Sequence, residues 1–235
     1  MELTQTAQLF RVELHEVREL VAGMATELDA PLDALVRAQS QAVQSLPRAG
    51  VILAAGLGEP DSTDLRERRI YLATALEMLY VALHVHKLLL SRQDELEKSI
   101  LGSTILAGDY CFSRSASMAV RTRDPQIVEI FAQALKRVSE GNLRQIFGNE
   151  QEAYDENDVL FQAGIDAASI MAKIPDEESA DLSAIARDLA QRLRSDQAPS
   201  AMDIRRVPEY QQARWKALLD WLDENHQNGV SVSLD

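Results

Sequence analysis

The sequence predicts an all-α protein, and three observations lead to that prediction. Apolar residues recur at helical spacing along most of the chain. The 235 residues include only 10 glycines and 7 prolines, the residues that most often interrupt helices. No stretch of alternating apolar and polar residues is long enough to predict a convincing strand. Since 46% of the residues are hydrophobic, the chain can build a large core, and we expect residues 1–235 to form one domain.

Two helices are expected before Pro47. The first is marked by apolar residues that share one helix face: Phe10, Leu14, Val17 and Val21. Pro31 follows a break at residues 29–30 and can occupy the first turn of the second helix. We expect that helix to end near Leu46, because the residue before a proline disfavours the helical backbone conformation. Residues 48–57 then form a short apolar segment.

The next helix is expected to be the longest. Residues 61–64 offer helix-capping side chains, and the helix should extend to about Leu96. Its segment 70–90 is apolar on all sides and, at roughly 20 residues, is about long enough to span a membrane. The segment also contains Glu77 and Lys87, however, and charged residues at that depth are costly. We therefore predict the central helix of a soluble core and no integral membrane span.

Five more helices are expected in the second half of the chain. Residues 102–120 form the first, and residues 124–125 (Asp-Pro) supply an N-cap and a first-turn proline for the next. Residues 150–158 read as an acidic, solvated connection, residues 159–172 as a helix, and residues 195–208 as a loop. The remaining helix faces are marked by apolar residues at helical spacing: Ile127, Phe131, Leu135 and Val138; Leu182, Ile185, Leu189 and Leu193; Trp215, Leu218, Leu219 and Leu222.

Charge and cysteine content exclude several classes of function. The formal net charge is −13, so nucleic acid and anionic membrane surfaces are unfavourable partners. The single cysteine, Cys111, cannot form an intramolecular disulfide, and its apolar neighbours indicate a buried structural thiol. Residues 1–6 lack the cationic and apolar regions of a signal peptide, so we expect a cytoplasmic protein.

Two short segments carry a resemblance to a known family. Residues 77–86 read E-M-L-Y-V-A-L-H-V-H, and residues 105–110 read I-L-A-G-D-Y. They resemble trans-polyprenyl diphosphate synthases, in which one helix reads E-L-I-H-x-A-S-L-I-H-D-D-x-x-D and a later helix carries I/V-L-A-G-D-Y. Weaker likenesses to the family's L-L-A-A, E-G-E-x-x-Q and L-F-x-x-A segments lie at 51–55, 140–145 and 160–164. The resemblance implies the isoprenoid synthase fold, an orthogonal bundle of about nine helices.

The same resemblance shows what this chain lacks. The family holds magnesium ions on two aspartate clusters, and these ions stabilise the departing diphosphate. Lys87, Leu88 and Ser91 stand where the first cluster belongs. The second cluster would follow residues 182–193, where only Asp196 is present, and the basic G-K-R-L-R-P motif is reduced to Arg48. We therefore assign no catalytic, cofactor-binding or metal-binding residues and expect no cofactor, although Lys87 could form a salt bridge across the former cavity.

Other polar residues favour structural roles. His84 and His86 are two positions apart on a helix, so they point to different faces and cannot chelate one metal together. Gly108 should permit close helix approach, and Asp109 should cap or hydrogen-bond locally. The acidic run at 150–158 lacks the glycine and the bidentate end position of a calcium loop. Asp220 and Glu224 read as surface charge.

Three functions remain open. The leading one is a non-catalytic or regulatory subunit of a heteromeric polyprenyl diphosphate synthase in isoprenoid biosynthesis, with a catalytic prenyl diphosphate synthase subunit as the partner. In that case, the apolar residues at 79–90 and 106–112 would form the interface or the cavity wall, and a prenyl lipid is a candidate ligand. The alternatives are an active prenyltransferase with atypical metal ligands, and a helical binding or scaffold homodimer that reuses the fold.

Overall fold

The computed structural model describes residues 2–42, 45–91, 98–147 and 155–227, which form nine α-helices, one short 3-10 helix and no β-strand. The α-helices are α1 (Glu2–Ala25), α2 (Leu32–Ala42), α3 (Pro47–Ala55), α4 (Thr63–Ser91), α5 (Lys98–Val120), α6 (Pro125–Phe147), α7 (Glu156–Ala172), α8 (Asp176–Arg194) and α9 (Glu209–Gln227). The 3-10 helix, Pro199–Ala201, lies within the segment expected to be a loop. The all-α prediction is confirmed.

The fold is organised around α4. This helix contacts α1, α2, α3, α5 and α7, and its residues 72–83 are all buried. A helix that is apolar on every side can bury all its faces only when other helices surround it. This is the environment that the sequence predicts for α4. In the described part of the chain, no helix is both long enough and apolar enough to cross a membrane.

The expected apolar faces point into the core. Phe10, Leu14, Val17 and Val21 are buried on α1, which packs against α3, α4 and α9. Side chains on the predicted faces of the last two helices are likewise buried: Leu182, Ile185, Leu189 and Leu193 on α8, and Trp215, Leu218, Leu219 and Leu222 on α9. The helical spacing of the apolar residues therefore predicted correctly which side of each of these helices faces the core.

The capping residues lie where the sequence places them. Ser62, within the expected 61–64 segment, accepts a hydrogen bond from the Leu65 backbone N–H at 3.1 Å. Asp124 accepts one from the Gln126 N–H at 3.0 Å, and Pro125 is the first residue of α6. Each cap satisfies a backbone donor that has no partner within the first helical turn.

Several boundaries differ from the prediction. Helix α2 ends at Ala42 rather than near Leu46, and the apolar segment at 48–57 is mostly the helix α3. Pro47 begins α3 because a first-turn residue needs no N–H donor, and Leu46 before it has a left-handed backbone with φ of 45°. Helix α5 begins at Lys98, before the expected residue 102. The predicted continuation of α4 beyond Ser91, to Leu96, lies outside the described residues.

Candidate functional site

A polar cluster lies where α3, α4 and α7 meet, at the positions that the family resemblance singles out. We call it the α3–α4–α7 cluster, and its members are Arg48, Glu77, Tyr80, His84, Lys87, Glu156 and Asn157. Helix α3 supplies the arginine, α4 supplies the four residues from Glu77 to Lys87, and the first turn of α7 supplies the glutamate and the asparagine.

The Glu77 carboxylate is fully buried and has hydrogen-bond donors on both oxygens. Oε2 accepts from Arg48 Nε at 3.1 Å and Nη2 at 2.9 Å, while Oε1 accepts from the Ala49 backbone N–H at 2.8 Å. Arg48 is also buried, with 2% of its surface exposed. A buried charge of this kind is stable only when it is paired and hydrogen-bonded, and both conditions are met here.

Arg48 makes two further contacts within the protein. Its Nη1 donates to Asn157 Oδ1 at 2.8 Å, and its guanidinium carbon lies 3.4 Å from the centre of the Tyr80 ring. Burial raises the pKa of Tyr80, although the Arg48 charge opposes this shift. The arginine that remains from the basic motif is therefore held by Glu77, Asn157 and Tyr80 inside the core.

Lys87 forms the salt bridge that the sequence suggests. Its Nζ donates to Glu156 Oε1 at 2.7 Å, which links the C-terminal part of α4 to the first residue of α7. Lys87 is partly exposed, whereas Glu156 is 4% exposed, and the Oε2 atom of Glu156 is buried without a hydrogen-bond partner. Lys87 is the residue that the sequence resemblance aligns with the family's first metal-binding carboxylate.

The expectation that residues 150–158 form a solvated connection is wrong at their C-terminal end. Glu156 and Asn157 are buried in the first turn of α7, because they pair with Lys87 and Arg48. Asp155 caps the helix by accepting from the Asn157 N–H at 2.8 Å. Residues 150–154 of this run lie outside the described part of the chain.

The two histidines of α4 lie in different environments, as expected from their spacing. His84 Nδ1 is 3.1 Å from the Tyr80 carbonyl oxygen and 3.9 Å from Glu156 Oε1. Burial holds the pKa of His84 below its ordinary value, and its hydrogen bond to Tyr80 only partly offsets this effect. Burial therefore favours the neutral form of the His84 ring, which lies beside the Lys87–Glu156 salt bridge.

His86 packs against α5 at Gly108. A Cβ atom added to Gly108 would lie 2.2 Å from His86 Nε2, so only glycine allows this approach. The His86 ring also lies 5.1 Å from the Phe112 ring. The prediction of close packing at Gly108 is confirmed. Asp109 was expected to cap a helix or to hydrogen-bond locally. It lies in the middle of α5, so it caps no helix, and it is largely exposed with Oδ1 3.5 Å from His86 Nε2.

The described residues contain no group of three or more histidine, cysteine, aspartate or glutamate side chains placed to hold a metal ion. At the second cluster position, Asp196 is exposed in the turn after α8, with a left-handed backbone and its Oδ1 3.5 Å from His226 Nδ1. Glu224, expected to be surface charge, binds the exposed Arg11. Cys111 is buried as predicted, and burial raises the pKa of its thiol to about 12.

Sequence reasoning missed a second buried ion cluster. Glu13 on α1 binds Arg69 on α4 at 2.9 Å and also binds Arg214 on α9, while Arg69 binds Asp61 at 2.9 Å. Burial alone would raise the pKa of Glu13, but its hydrogen bonds with Arg214 and Arg69 and their charges outweigh burial and lower it. A signal was present, since Glu13 falls within the apolar stripe that contains Phe10.

Comparisons with known proteins identify the fold. No protein-family model matches the chain, and no curated protein matches it in sequence. Solved structures do match: a decaprenyl diphosphate synthase from Rhodobacter capsulatus has a TM-score of 0.62 and 20% identity, over 88% of this chain and 70% of that one. A polyprenyl synthase from Caulobacter crescentus CB15, complexed with calcium and isoprenyl diphosphate, has a TM-score of 0.64 and 19% identity, over 98% and 90%. A geranylgeranyl pyrophosphate synthase from Bacteroides thetaiotaomicron has a TM-score of 0.62 and 16% identity, over 98% and 87%.

The chain therefore has the isoprenoid synthase fold of the trans-polyprenyl diphosphate synthases, and the predicted orthogonal helical bundle is confirmed. At 16–20% identity, the likeness identifies the fold and does not carry a reaction with it. The activity has to be argued from the side chains of the α3–α4–α7 cluster and from the surface.

Proposed function

We propose that this chain is a non-catalytic, regulatory subunit of a heteromeric polyprenyl diphosphate synthase. The observation that carries the proposal is the Lys87–Glu156 salt bridge. The first metal-ligand position holds a cation, and the nearest buried carboxylate is already bound to it. The proposal treats residues 1–235 as one domain of a cytoplasmic protein.

Electrostatics supports a role without metal chemistry. A magnesium–diphosphate centre needs several oxygen ligands that can turn to the ion, together with cations directed at the phosphates. In the α3–α4–α7 cluster, each carboxylate binds a cation of the protein itself: Glu77 binds Arg48, and Glu156 binds Lys87. Releasing either group for a ligand would leave a buried charge without its partner, which is strongly unfavourable.

The surface of α5 supports a role as a subunit. Between Leu101 and Val120, its exposed positions include the apolar residues Leu101, Ile105, Leu106 and Val120, and Asp109 is the one charged residue among them. Leu106 is 62% exposed. Leu101, Ile105 and Leu106 lie within about 8 Å along one side of the helix, and Val120 lies on the same side about 21 Å further on, beyond the exposed Ser113 and Ser117. We call these four apolar residues the α5 stripe, and exposed apolar residues grouped in this way favour an interaction site.

Of the two stretches expected to form the interface, 106–112 presents a large apolar residue at the surface, Leu106. Residues 79–83 are buried inside the bundle. They are therefore wall or core residues, and we assign the partner contact to α5. A catalytic subunit with the same fold would offer a matching helix, and apolar burial between the two helices would drive association.

The test uses the full chain and a synthase from the same cell that has both aspartate motifs. We expect the two proteins to co-purify, and we expect product length or rate from farnesyl and isopentenyl diphosphate to change when the chain is added. Leu106→Asp should abolish both effects, whereas Val12→Asp, at an exposed apolar position on α1, should abolish neither. Unchanged products, or equal behaviour of the two variants, would rule out the proposal. Magnesium-dependent turnover by the chain alone would instead identify an active enzyme.

The same α5 stripe favours a second candidate, a scaffold homodimer. A surface that pairs with itself about a two-fold axis needs only one apolar stripe on each copy. Light scattering of the purified chain distinguishes the two. A stable homodimer that Leu106→Asp converts to a monomer, with no effect on any synthase, would favour the scaffold.

A further inference from the structure

A cavity of about 430 Å³ lies between α1, α2 and α9. It shares no residue with the α3–α4–α7 cluster, and its volume is within the range of small-molecule sites. The apolar part of its lining comes from Val21, Ala22 and Ala25 of α1, Leu46 before α3 and Trp221 of α9. A ligand would therefore gain hydrophobic free energy from placing an apolar body there.

An oriented aromatic ring forms one wall of the cavity. Trp221 on α9 donates its indole N–H to the Ser45 carbonyl oxygen at 3.2 Å, which fixes the orientation of the ring. The guanidinium carbons of Arg11 and Arg18 lie 5.7 and 5.5 Å from the ring centre. Arg11 also binds Glu224, and Arg18 lines the cavity.

The lining brings two guanidinium groups close to its apolar part. The charged residues there are Arg18, Arg37 and Glu19, in a protein whose net charge is −13. Arg37 is close to Asp33, with Nε 3.5 Å from Oδ2, but about half of its side chain remains exposed. Gln41 adds an amide that can donate a hydrogen bond. Guanidinium groups over an apolar floor match a ligand with an apolar body and an anionic head.

We propose that this cavity binds an amphipathic organic anion. The apolar body lies against Val21, Ala25 and Trp221, and a phosphate or carboxylate head pairs with Arg18 and Arg37. This assignment does not depend on the proposed subunit function, since none of its residues belongs to the α3–α4–α7 cluster or to the α5 stripe.

Isothermal titration calorimetry of the full chain tests the site. The probes are n-octyl phosphate and octanoate, which have a chain and a head, and 1-octanol and inorganic phosphate, which each lack one of them. We expect saturable binding of at least one amphipathic anion, and affinity about tenfold or more weaker for octanol and for inorganic phosphate. The difference in affinity between n-octyl phosphate and octanoate shows whether the site prefers a phosphate head or a carboxylate head. Equal affinity for octanol and the anions, or no saturable binding at millimolar concentration, would overturn the proposal.

Variants locate the binding. Arg37→Met and Arg18→Met should each weaken binding of the anion about tenfold, while Arg205→Met, which removes the same charge from an exposed residue outside the cavity, should not. Ala22→Phe keeps both arginines but adds a ring to the lining, so it should block binding. Arg37 is exposed enough that its replacement should leave the fold intact, which circular dichroism checks. Affinities that are the same in Arg37→Met, Ala22→Phe and Arg205→Met would place the binding elsewhere and refute the assignment.

Discussion

The buried Arg48–Glu77 pair should influence the stability of this fold far more than any surface ion pair does. Glu77→Leu removes the acceptor for two N–H groups of Arg48 and for the Ala49 backbone N–H, and it leaves the guanidinium buried without its counter-charge. Removing one partner of a buried ion pair costs about 3–5 kcal/mol. Because Asn157 and the Tyr80 ring still contact Arg48, we expect a value near the lower end, about 3 kcal/mol.

A loss of about 3 kcal/mol should be easy to measure. For a protein of this size, each kcal/mol shifts the melting temperature by about 2–4 °C, so the expected decrease is about 6–12 °C. Urea denaturation followed by far-UV circular dichroism, at one fixed protein concentration, gives the free energy of unfolding directly. Glu224→Leu is the matched control: it breaks the exposed Arg11–Glu224 pair and should cost no more than about 1 kcal/mol.

The double variant Arg48→Met/Glu77→Leu completes the thermodynamic cycle. It removes both charges together, so it should be more stable than the sum of the two single losses implies, by about 2 kcal/mol. Losses that simply add, or a Glu77→Leu variant as stable as Glu224→Leu, would refute the interpretation of this pair as a mutually dependent unit in the core.

Two further predictions concern α5 and α1. Gly108→Ala should be less stable than Gly102→Ala by about 1 kcal/mol or more, because both gain helix propensity but only the Cβ at 108 meets the His86 ring, whereas the space around Gly102 is open. Urea titrations of both variants check this, and equal stabilities would contradict the contact. The pKa of Glu13 is lower in the folded state than in the unfolded state, so the Glu13 charge stabilises the fold at pH values above the ordinary glutamate pKa of about 4.3. This stabilisation is lost as the pH falls through the lower pKa of the folded state. The free energy of unfolding of Glu13→Gln should therefore be lower than that of the wild type at pH 7, and the difference between them should narrow below about pH 4. A difference that does not change with pH would exclude this linkage.

The helices were predictable because their signals are local. Phe10 and Leu14 lie one turn apart, so four or five neighbouring residues already define the buried face, and Asp124 before Pro125 caps within the same turn. Pro47 was harder, since a proline can follow one helix or begin the next. In the structure, the left-handed backbone of Leu46 separates Pro47 from the preceding segment, so that Pro47 begins α3. The sequence pattern around Pro47 does not predict that conformation.

The candidate site could be predicted only in part. The replacement of the first metal-binding carboxylate by Lys87 is visible in the sequence, and so is the opportunity for a salt bridge. The partner, Glu156, is 69 residues away in the chain, and Glu13 and Arg214 are 201 residues apart. Such pairs form only when helices from distant parts of the sequence pack together, so charged side chains that look solvent-exposed along one helix become buried.

The Lys87–Glu156 salt bridge also constrains how this sequence can change. Replacing Lys87 with aspartate would introduce one residue of the D-D-x-x-D pattern, but it would remove the cation from beside a buried glutamate and place a second negative charge there. Two adjacent carboxylates repel each other, and one of them takes up a proton unless a cation arrives. Leu88 and Ser91 would still be unable to complete a metal site. A single Lys87→Asp replacement is therefore expected to destabilise this fold without creating a metal site.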